Sequence, residues 1–224
     1  GGLCAGLFYQ TASPLTGSAT TNACSISGTR SVGPTGFYTS LTAAISDLNA
    51  NALSGAVTLE LQSTYVSSAE AAFPLVLPAV LCASSVNTIT IRPQAGATNL
   101  SIIGTNAGAT FDINGGNWWR IDGRAGGSGT SQLTVSNTNI AGHAIRFVNE
   151  GSNNILRFLS LRGVNTSSNG GVVLFSTTTG TNGNDNNLIE FSNIADGATT
   201  PATCLYALGT NTTATHRNDN NTIA

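Results

Sequence analysis

The sequence predicts an all-β protein folded as a right-handed parallel β-helix, and three observations lead to this fold class. A phrase of the form Asn-x-apolar-x-apolar recurs at steps of 30, 37, 33 and 34 residues. Its apolar residues alternate, as they do on a strand with one buried face. No helical period separates the copies, so successive strands suit a coil of stacked repeats, with the right-handed winding that parallel crossovers prefer.

About six rungs, each one turn of the coil, follow from this period. They begin near residues 55, 87, 117, 154, 187 and 221. The first has Gly55 in place of the leading Asn, and the last is only a few residues long at Ala224. We therefore expect the natural chain to continue, or another chain to cover that end.

Stacking the rungs in register predicts two inward columns of core residues. The first contains Val57, Ile89, Trp119, Leu156, Ile189 and Ile223, and the second contains Leu59, Ile91, Ile121, Phe158 and Phe191. The leading Asn residues are expected to form an amide ladder, each bonded to the rungs above and below. The unequal steps must be absorbed by loops, and the Gly-rich insertion at 123–130 is expected to stand off the surface.

A helical period replaces the strand pattern before the first rung. Its apolar face consists of Leu41, Ala44, Ile45 and Leu48, and Thr39 or Ser40 can cap its start. We expect this helix to cover the open end of the coil, where unpaired strand edges would invite association. The chain thus divides into an N-terminal segment (1–36), a capping helix (37–54) and a β-helix (55–224).

The composition excludes several classes of partner. All eight basic residues are Arg, ten residues are acidic, and the net charge is −2, which offers no electrostatic footprint for nucleic acid or an anionic membrane. No apolar run is long enough for a transmembrane helix, and the start at Gly1-Gly2 shows no signal-peptide pattern, so we expect a mature or trimmed chain. A surface of Asn, Thr, Ser and Gly is typical of secreted β-solenoids, so we expect an extracellular or cell-surface location.

Four cysteines, an even number without a Cys-x-x-Cys motif, predict disulfides formed in an oxidising compartment. Cys4 with Cys24 is the easier pair, because it closes a segment that has little else to fold around. Cys82 with Cys204 is the second predicted pair. For these two the sequence leaves buried free thiols as an alternative.

The segment SVGPTGFYTSLTAAISDLN at 31–49, followed by SGAV at 54–57, resembles the opening of modules in large surface and secreted proteins of Bacteroidota. WRIDG at 119–123 and NNLI at 186–189 resemble that group's repeats, and the resemblance extends over about residues 30–224. It implies a right-handed parallel β-helix in an adhesin or matrix protein, often exported by type IX secretion, with further domains on the parent chain. It implies no catalytic residues.

A polysaccharide lyase or hydrolase is the alternative, because parallel β-helices frequently act on polysaccharides. Asp122, Arg120 and Arg157 are its candidate catalytic residues. A hydrolase needs two carboxylates about 5 to 10 Å apart, which Asp122 and Glu60 could supply. Arg92 is expected between those two acids and Arg157 above Glu190, as ion pairs that keep the acids charged, and no rung offers the carboxylate cluster that a calcium-dependent lyase uses.

Trp118 is the candidate ligand-binding residue. Because Trp119 belongs to the inward column, Trp118 should point outward, where an aromatic ring can stack on the apolar face of a sugar. The alternative is that the 123–130 insertion folds over it. Together with Arg120 and Arg157, Trp118 indicates glycans or other surface proteins as partners.

No cofactor or metal site is predicted. His143 and His216 have no Cys, His or acidic neighbour that would indicate a metal or a catalytic triad, and both are expected to be solvated. The tripeptides at 184–186 and 218–220, each Asn-Asp-Asn, lack the spacing of known calcium loops. Turn ladders explain them better, and weak calcium binding is the alternative.

Overall fold

The structure, a computed structural model, describes residues 24–224. This part of the chain forms one α-helix and sixteen strands joined by turns. The elements are β1 (Ile26–Val32), α1 (Leu41–Asn51), β2 (Leu53–Leu61), β3 (Leu75–Leu77), β4 (Ile89–Pro93), β5 (Leu100–Gly104), β6 (Ala109–Asn114), β7 (Trp119–Asp122), β8 (Leu133–Asn137), β9 (His143–Val148), β10 (Ile155–Arg157), β11 (Ser160–Gly163), β12 (Val173–Phe175), β13 (Leu188–Glu190), β14 (Asn193–Asp196), β15 (Leu205–Ala207) and β16 (Thr222–Ile223).

The strands form three sheets, and every strand pair within them is parallel. The seven-stranded sheet has the order β1-β2-β4-β7-β10-β13-β16. The four-stranded sheet runs β14-β11-β8-β5, and the five-stranded sheet runs β15-β12-β9-β6-β3. The described chain is therefore predominantly β and parallel, with one α-helix.

A strand of the seven-stranded sheet begins within two residues of every predicted repeat start. Between β4 and β15, each repeat then adds one strand to the four-stranded sheet and one to the five-stranded sheet, in that order. Residues 26–32 were assigned from sequence to the N-terminal segment, but they form β1 and extend the seven-stranded sheet beside β2.

The core lies among the three sheets, and the inward residues of β2, β4 and β7 form it as predicted. Between β7 and β10, however, Leu156 pairs with Ile121 rather than with Trp119, a shift of two residues from the predicted register. Phe158 consequently lies beyond β10, and Phe191 lies beyond β13 with 66% of its surface exposed. Their assignment to the second core column is wrong.

The cause of the shift is Asn154, which lies beside Trp119 in the next repeat and binds its backbone. The Oδ1 atom of Asn154 accepts the Trp119 backbone N–H at 2.9 Å. Below it, Asn187 Oδ1 accepts both the backbone and the side-chain N–H of Asn154 at 3.0 Å, and Asn221 repeats this arrangement under Asn187. The predicted amide ladder is therefore present over these three residues, whereas the Asn117 amide bonds to Gly115 O.

Helix α1 begins after Ser40, whose hydroxyl accepts the N–H of Ala43 at 3.1 Å as an N-cap. The carboxylate of Glu70 binds the next free donors, accepting Leu41 N and Thr42 N at 2.8 Å. Negative charge at this end also complements the helix dipole. The buried face of the helix is the predicted set Leu41, Ala44, Ile45 and Leu48.

The predicted Cys82–Cys204 disulfide is wrong, since Cys204 is a free, exposed cysteine. Cys82 follows β3 and Cys204 precedes β15, and these strands are opposite edges of the five-stranded sheet. Four strand spacings separate them by roughly 19 Å, whereas disulfide-bonded Cα atoms lie within about 7 Å. The predicted Cys4–Cys24 pair includes Cys4, which lies outside the described residues.

In residues 24–224 we find no helix with the length and apolar character required to cross a membrane.

Candidate functional site on the outer face of the seven-stranded sheet

Five charges of alternating sign form a column on the outer face of the seven-stranded sheet. In register order they are Glu60, Arg92, Asp122, Arg157 and Glu190. The sequence alignment placed Arg157 and Glu190 in one outward column, and Glu60, Arg92 and Asp122 in another. Arg157 and Glu190 lie opposite each other in register, but within residues 24–224 they form no ion pair, so that predicted ion pair is wrong. The two-residue shift merges the two columns, and we call the merged column, together with Arg120 and Arg124, the charged face.

Asp122 is the buried centre of the charged face, with 1% of its side chain exposed. Arg124 donates to both carboxylate oxygens at 2.9 Å, and Arg157 donates to Oδ2 from Nε at 3.0 Å, with its Nη2 in an ion pair 2.9 Å from the same oxygen. The predicted pairing of Arg92 with Asp122 is wrong, because Arg92 binds Glu60 at 2.8 Å.

The two arginines decide the protonation state of Asp122. Burial alone would raise the pKa of its carboxyl, but the hydrogen bonds from Arg124 and the charge of Arg157 outweigh burial and lower the pKa below its usual value. The carboxylate therefore stays ionised at neutral pH.

An aromatic stack borders the charged face where β10 and β13 end. The Arg124 guanidinium lies 4.2 Å from the centre of the Phe158 ring, and the rings of Phe158 and Phe191 stack with centres 4.9 Å apart. Both Phe residues have left-handed backbones, with φ of 51° and 48°, which are uncommon for bulky residues. This turn sends the rings outward, which explains why they do not belong to the core.

The insertion at 123–130 packs against the sheet, so the expectation that it stands off the surface is wrong. A Cβ atom on Gly127 would lie 2.7 Å from Arg92 Nη1, and one on Gly126 would lie 3.1 Å from Ala95 Cβ. Gly126, Gly127 and Gly129 have φ between 62° and 81°, a conformation that glycine adopts without strain. The loop thereby encloses one side of the charged face.

Trp118 immediately precedes β7 and is partly buried. Its φ is 65°, and the corresponding residues before Asn154, Asn187 and Asn221 are Asn153, Asn186 and Asn220, with φ of 60°, 56° and 55°. Asn tolerates this left-handed conformation far better than Trp does. A tryptophan here is held in a strained conformation, and strain of this kind is concentrated at functional positions.

Arg120 and Arg157 supply hydrogen-bond donors that the protein does not fully use. Arg120 lies between Thr90 and Ile155 on the outer face, and within residues 24–224 it makes no ion pair. Arg157 is 33% exposed, and of its donors only Nε forms a hydrogen bond with Asp122. Since a guanidinium carries five N–H donors, both side chains can bind a further acceptor.

The arrangement is suited to binding and poorly suited to acid–base catalysis. A general acid must be protonated and accessible, whereas Asp122 is ionised and covered by Arg124 and Arg157. The second predicted carboxylate, Glu60, is bound by Nε and Nη2 of Arg92 at 3.0 and 2.8 Å. Both of these bonds fall on Oε1 of Glu60, so each of the two acids is held in an ion pair.

His143 is buried, so the expectation of a solvated side chain is wrong. It begins β9, and its Nδ1 lies 2.7 Å from Gly171 O. Burial lowers its pKa, so the imidazole is neutral at physiological pH. His216 is only partly exposed, and its Nδ1 bonds to Thr212 Oγ1. In the described part of the chain no cluster of three or more His, Cys, Asp or Glu residues could hold a metal ion.

The tripeptides at 184–186 and 218–220 form a second amide ladder. Asn218 Oδ1 accepts the backbone N–H of Asn184 at 3.1 Å and its side-chain N–H at 2.9 Å. Asn184 in turn accepts Gly151 N at 3.0 Å. These amide oxygens are thus occupied by protein donors, as in a turn ladder.

Sequence reasoning missed Arg124 and the outward position of Phe158 and Phe191. Asp122 is the last residue of β7, and Arg124 follows it after one intervening residue. Alternate residues share a face only within a strand, so this spacing did not predict an ion pair between them. The outward position of Phe158 and Phe191 could have been predicted only from the step of 37 residues between Asn117 and Asn154, which indicates an irregular repeat.

No family model, curated protein or solved structure matches the chain. The side chains of the charged face and Trp118 are therefore the basis on which a function is proposed.

Proposed function

We propose that the chain is a non-catalytic structural and adhesive module of an extracellular or cell-surface protein, and that it binds glycans through the charged face and Trp118. The observation that carries this proposal is Trp118 in a left-handed turn where the later repeats have Asn, two residues before an arginine that makes no ion pair within residues 24–224. Other surface proteins are the second class of partner that such a face would suit.

We infer that the three sheets wind as a right-handed parallel β-helix. Two features support this: the fixed order in which successive repeats contribute strands to the three sheets, and the right-handed preference of parallel crossovers. Helix α1 packs against β1 and β3, which are edge strands of two sheets. That position supports a capping role for the helix.

The extracellular location rests on the resemblance of residues 31–49 to Bacteroidota surface modules and on a surface rich in uncharged polar residues. The same resemblance supports type IX secretion and further domains on the parent chain.

Sugar recognition would divide between stacking and hydrogen bonding. The indole of Trp118 would supply apolar area against one face of a pyranose. Arg120 and Arg157 would donate to ring substituents on the same side. The covered, ionised Asp122 favours binding over the alternative of a lyase or hydrolase.

Trp118→Asn is the sharpest test, because Asn occupies the equivalent turn in three other repeats. We expect at least about a tenfold loss of affinity on a glycan array, with thermal stability unchanged or higher. Trp118→Ala should lose binding similarly. Phe37→Ala is the control, since Phe37 is an exposed aromatic residue that lies before helix α1, away from the charged face. Equal binding by wild type and Trp118→Asn would reject the proposed platform.

A further inference from the structure

The charged face carries more positive than negative residues, although the protein as a whole has a negative net charge. Four of the eight arginines lie on it, against three carboxylates, while the whole chain has a net charge of −2. Two of those carboxylates are consumed by ion pairs, Glu60 with Arg92 and Asp122 with Arg124 and Arg157. The remaining positive charge is concentrated at Arg120, because Arg157 lies between Asp122 and Glu190.

The third carboxylate, Glu190, is too far from Arg120 to neutralise it. It lies two strands away along the sheet and two residues along the strand, which corresponds to roughly 12 Å between Cα atoms. This distance exceeds the Debye length of about 8 Å at physiological ionic strength. An anion at Arg120 would therefore experience little repulsion from Glu190.

The surroundings of Arg120 match a ring that carries a carboxylate. Trp118 lies two residues before it in the sequence, in the left-handed turn that leads into β7. Thr90 flanks Arg120 on one side with a hydroxyl, and Ile155 flanks it on the other with a partly buried apolar surface. A sugar ring stacked on Trp118 would thus place an exocyclic group at the guanidinium, and a planar carboxylate accepts two parallel bonds from an arginine.

We propose that the ligand is a uronic acid polymer, bound with the sugar on Trp118 and the carboxylate on Arg120. This inference rests on the proposed glycan-binding function and narrows it to a chemical class. Arg157 is expected to add a second, weaker contact, because its charge is already paired with Asp122.

The test measures affinity by titration calorimetry for three uronate oligomers, of galacturonate, mannuronate and glucuronate, and for their neutral methyl esters. We expect at least one uronate to bind about tenfold more tightly than its ester at low salt, and we expect this difference to shrink as salt is raised. Arg120→Gln should abolish the difference, while Arg162→Gln, which removes a charge from β11 on another sheet, should retain it.

Three results would overturn the inference: equal binding of acid and ester, equal loss in both variants, or dextran sulfate binding as tightly as the best uronate. The proposed function fails separately, if no glycan on an array distinguishes wild type from Trp118→Asn. If neutral glycans bind through Trp118 and no uronate does, the inference is wrong and the proposed function stands.

Discussion

Replacement of Asn187 by Asp is expected to lower the free energy of unfolding by at least about 3 kcal/mol at pH 7. The Asn187 side chain is 1% exposed, and its amide donates to Gly151 O at 2.9 Å and to Asn221 Oδ1 at 3.0 Å. A carboxylate would turn both contacts into repulsion between oxygens. It would also bury a charge with no cation among its hydrogen-bond partners.

Chemical denaturation at pH 7 and pH 4 measures this effect. Burial raises the pKa of a carboxyl, so the introduced carboxyl should bind a proton in the folded state more readily than in the unfolded state. The deficit should consequently be smaller at pH 4. Asn186→Asp is the matched control, because Asn186 is exposed and adjacent, and it should change stability by less than about 0.5 kcal/mol. Similar small losses in both variants would show that the amide ladder does not stabilise the fold.

Asp122→Asn is expected to cost about 2–4 kcal/mol at pH 7, because it leaves Arg124 and Arg157 beside a neutral group. The two arginines are 18% and 33% exposed, so hydration recovers part of the loss. Asp196→Asn, which changes an exposed carboxylate on β14, is the control and should be nearly neutral.

The same variant has a characteristic pH dependence. The pKa of Asp122 is lower in the folded protein than its ordinary value of 3.8, so its carboxylate stabilises the fold above that value. This stabilisation is lost as the pH falls below 3.8 and through the folded pKa. Unfolding curves of wild type and Asp122→Asn should therefore converge as the pH is lowered from about 4 to about 2. A constant difference across this range would contradict the ion-pair description.

The sequence was sufficient to place the strand that opens each repeat, because alternation of apolar residues distinguishes the two faces of a strand, but it did not predict β1. It could not determine the register between β7 and β10. A slip of one residue would turn every side chain to the opposite face, but a slip of two preserves inward and outward positions. The predicted alignment of Leu156 with Trp119 and the observed alignment with Ile121 therefore satisfy the hydrophobic pattern equally well.

What decides the register is the side-chain chemistry of Asn154. A ladder of asparagines satisfies buried backbone donors only when Asn154 sits beneath Trp119, and this requirement outweighs the resemblance between the phrases headed by Asn117 and Asn154. The same error in register hid the ion pair between Asp122 and Arg157. Arg157 was expected beside Glu190 alone, and the structure places it between Glu190 and Asp122.

The candidate site was only partly predictable. Arg120, Asp122 and Arg157 were recognised as outward residues, since alternation alone determines that property. The covering of Asp122 by Arg124, and the packing of the glycine loop on Arg92, depend on turns whose conformation is set by tertiary contacts. Because of the contacts with Arg124 and Arg157, the catalytic candidate Asp122 is buried in ion pairs.

The most direct measurement incubates the protein with a polysaccharide that it binds, and records both the amount bound and the chain length of the polymer over time. Non-catalytic binding through the charged face would give saturable binding with chain length unchanged. Progressive shortening of the polymer by the wild type, abolished in Asp122→Asn or Arg157→Gln, would contradict this account and establish the charged face as an active site.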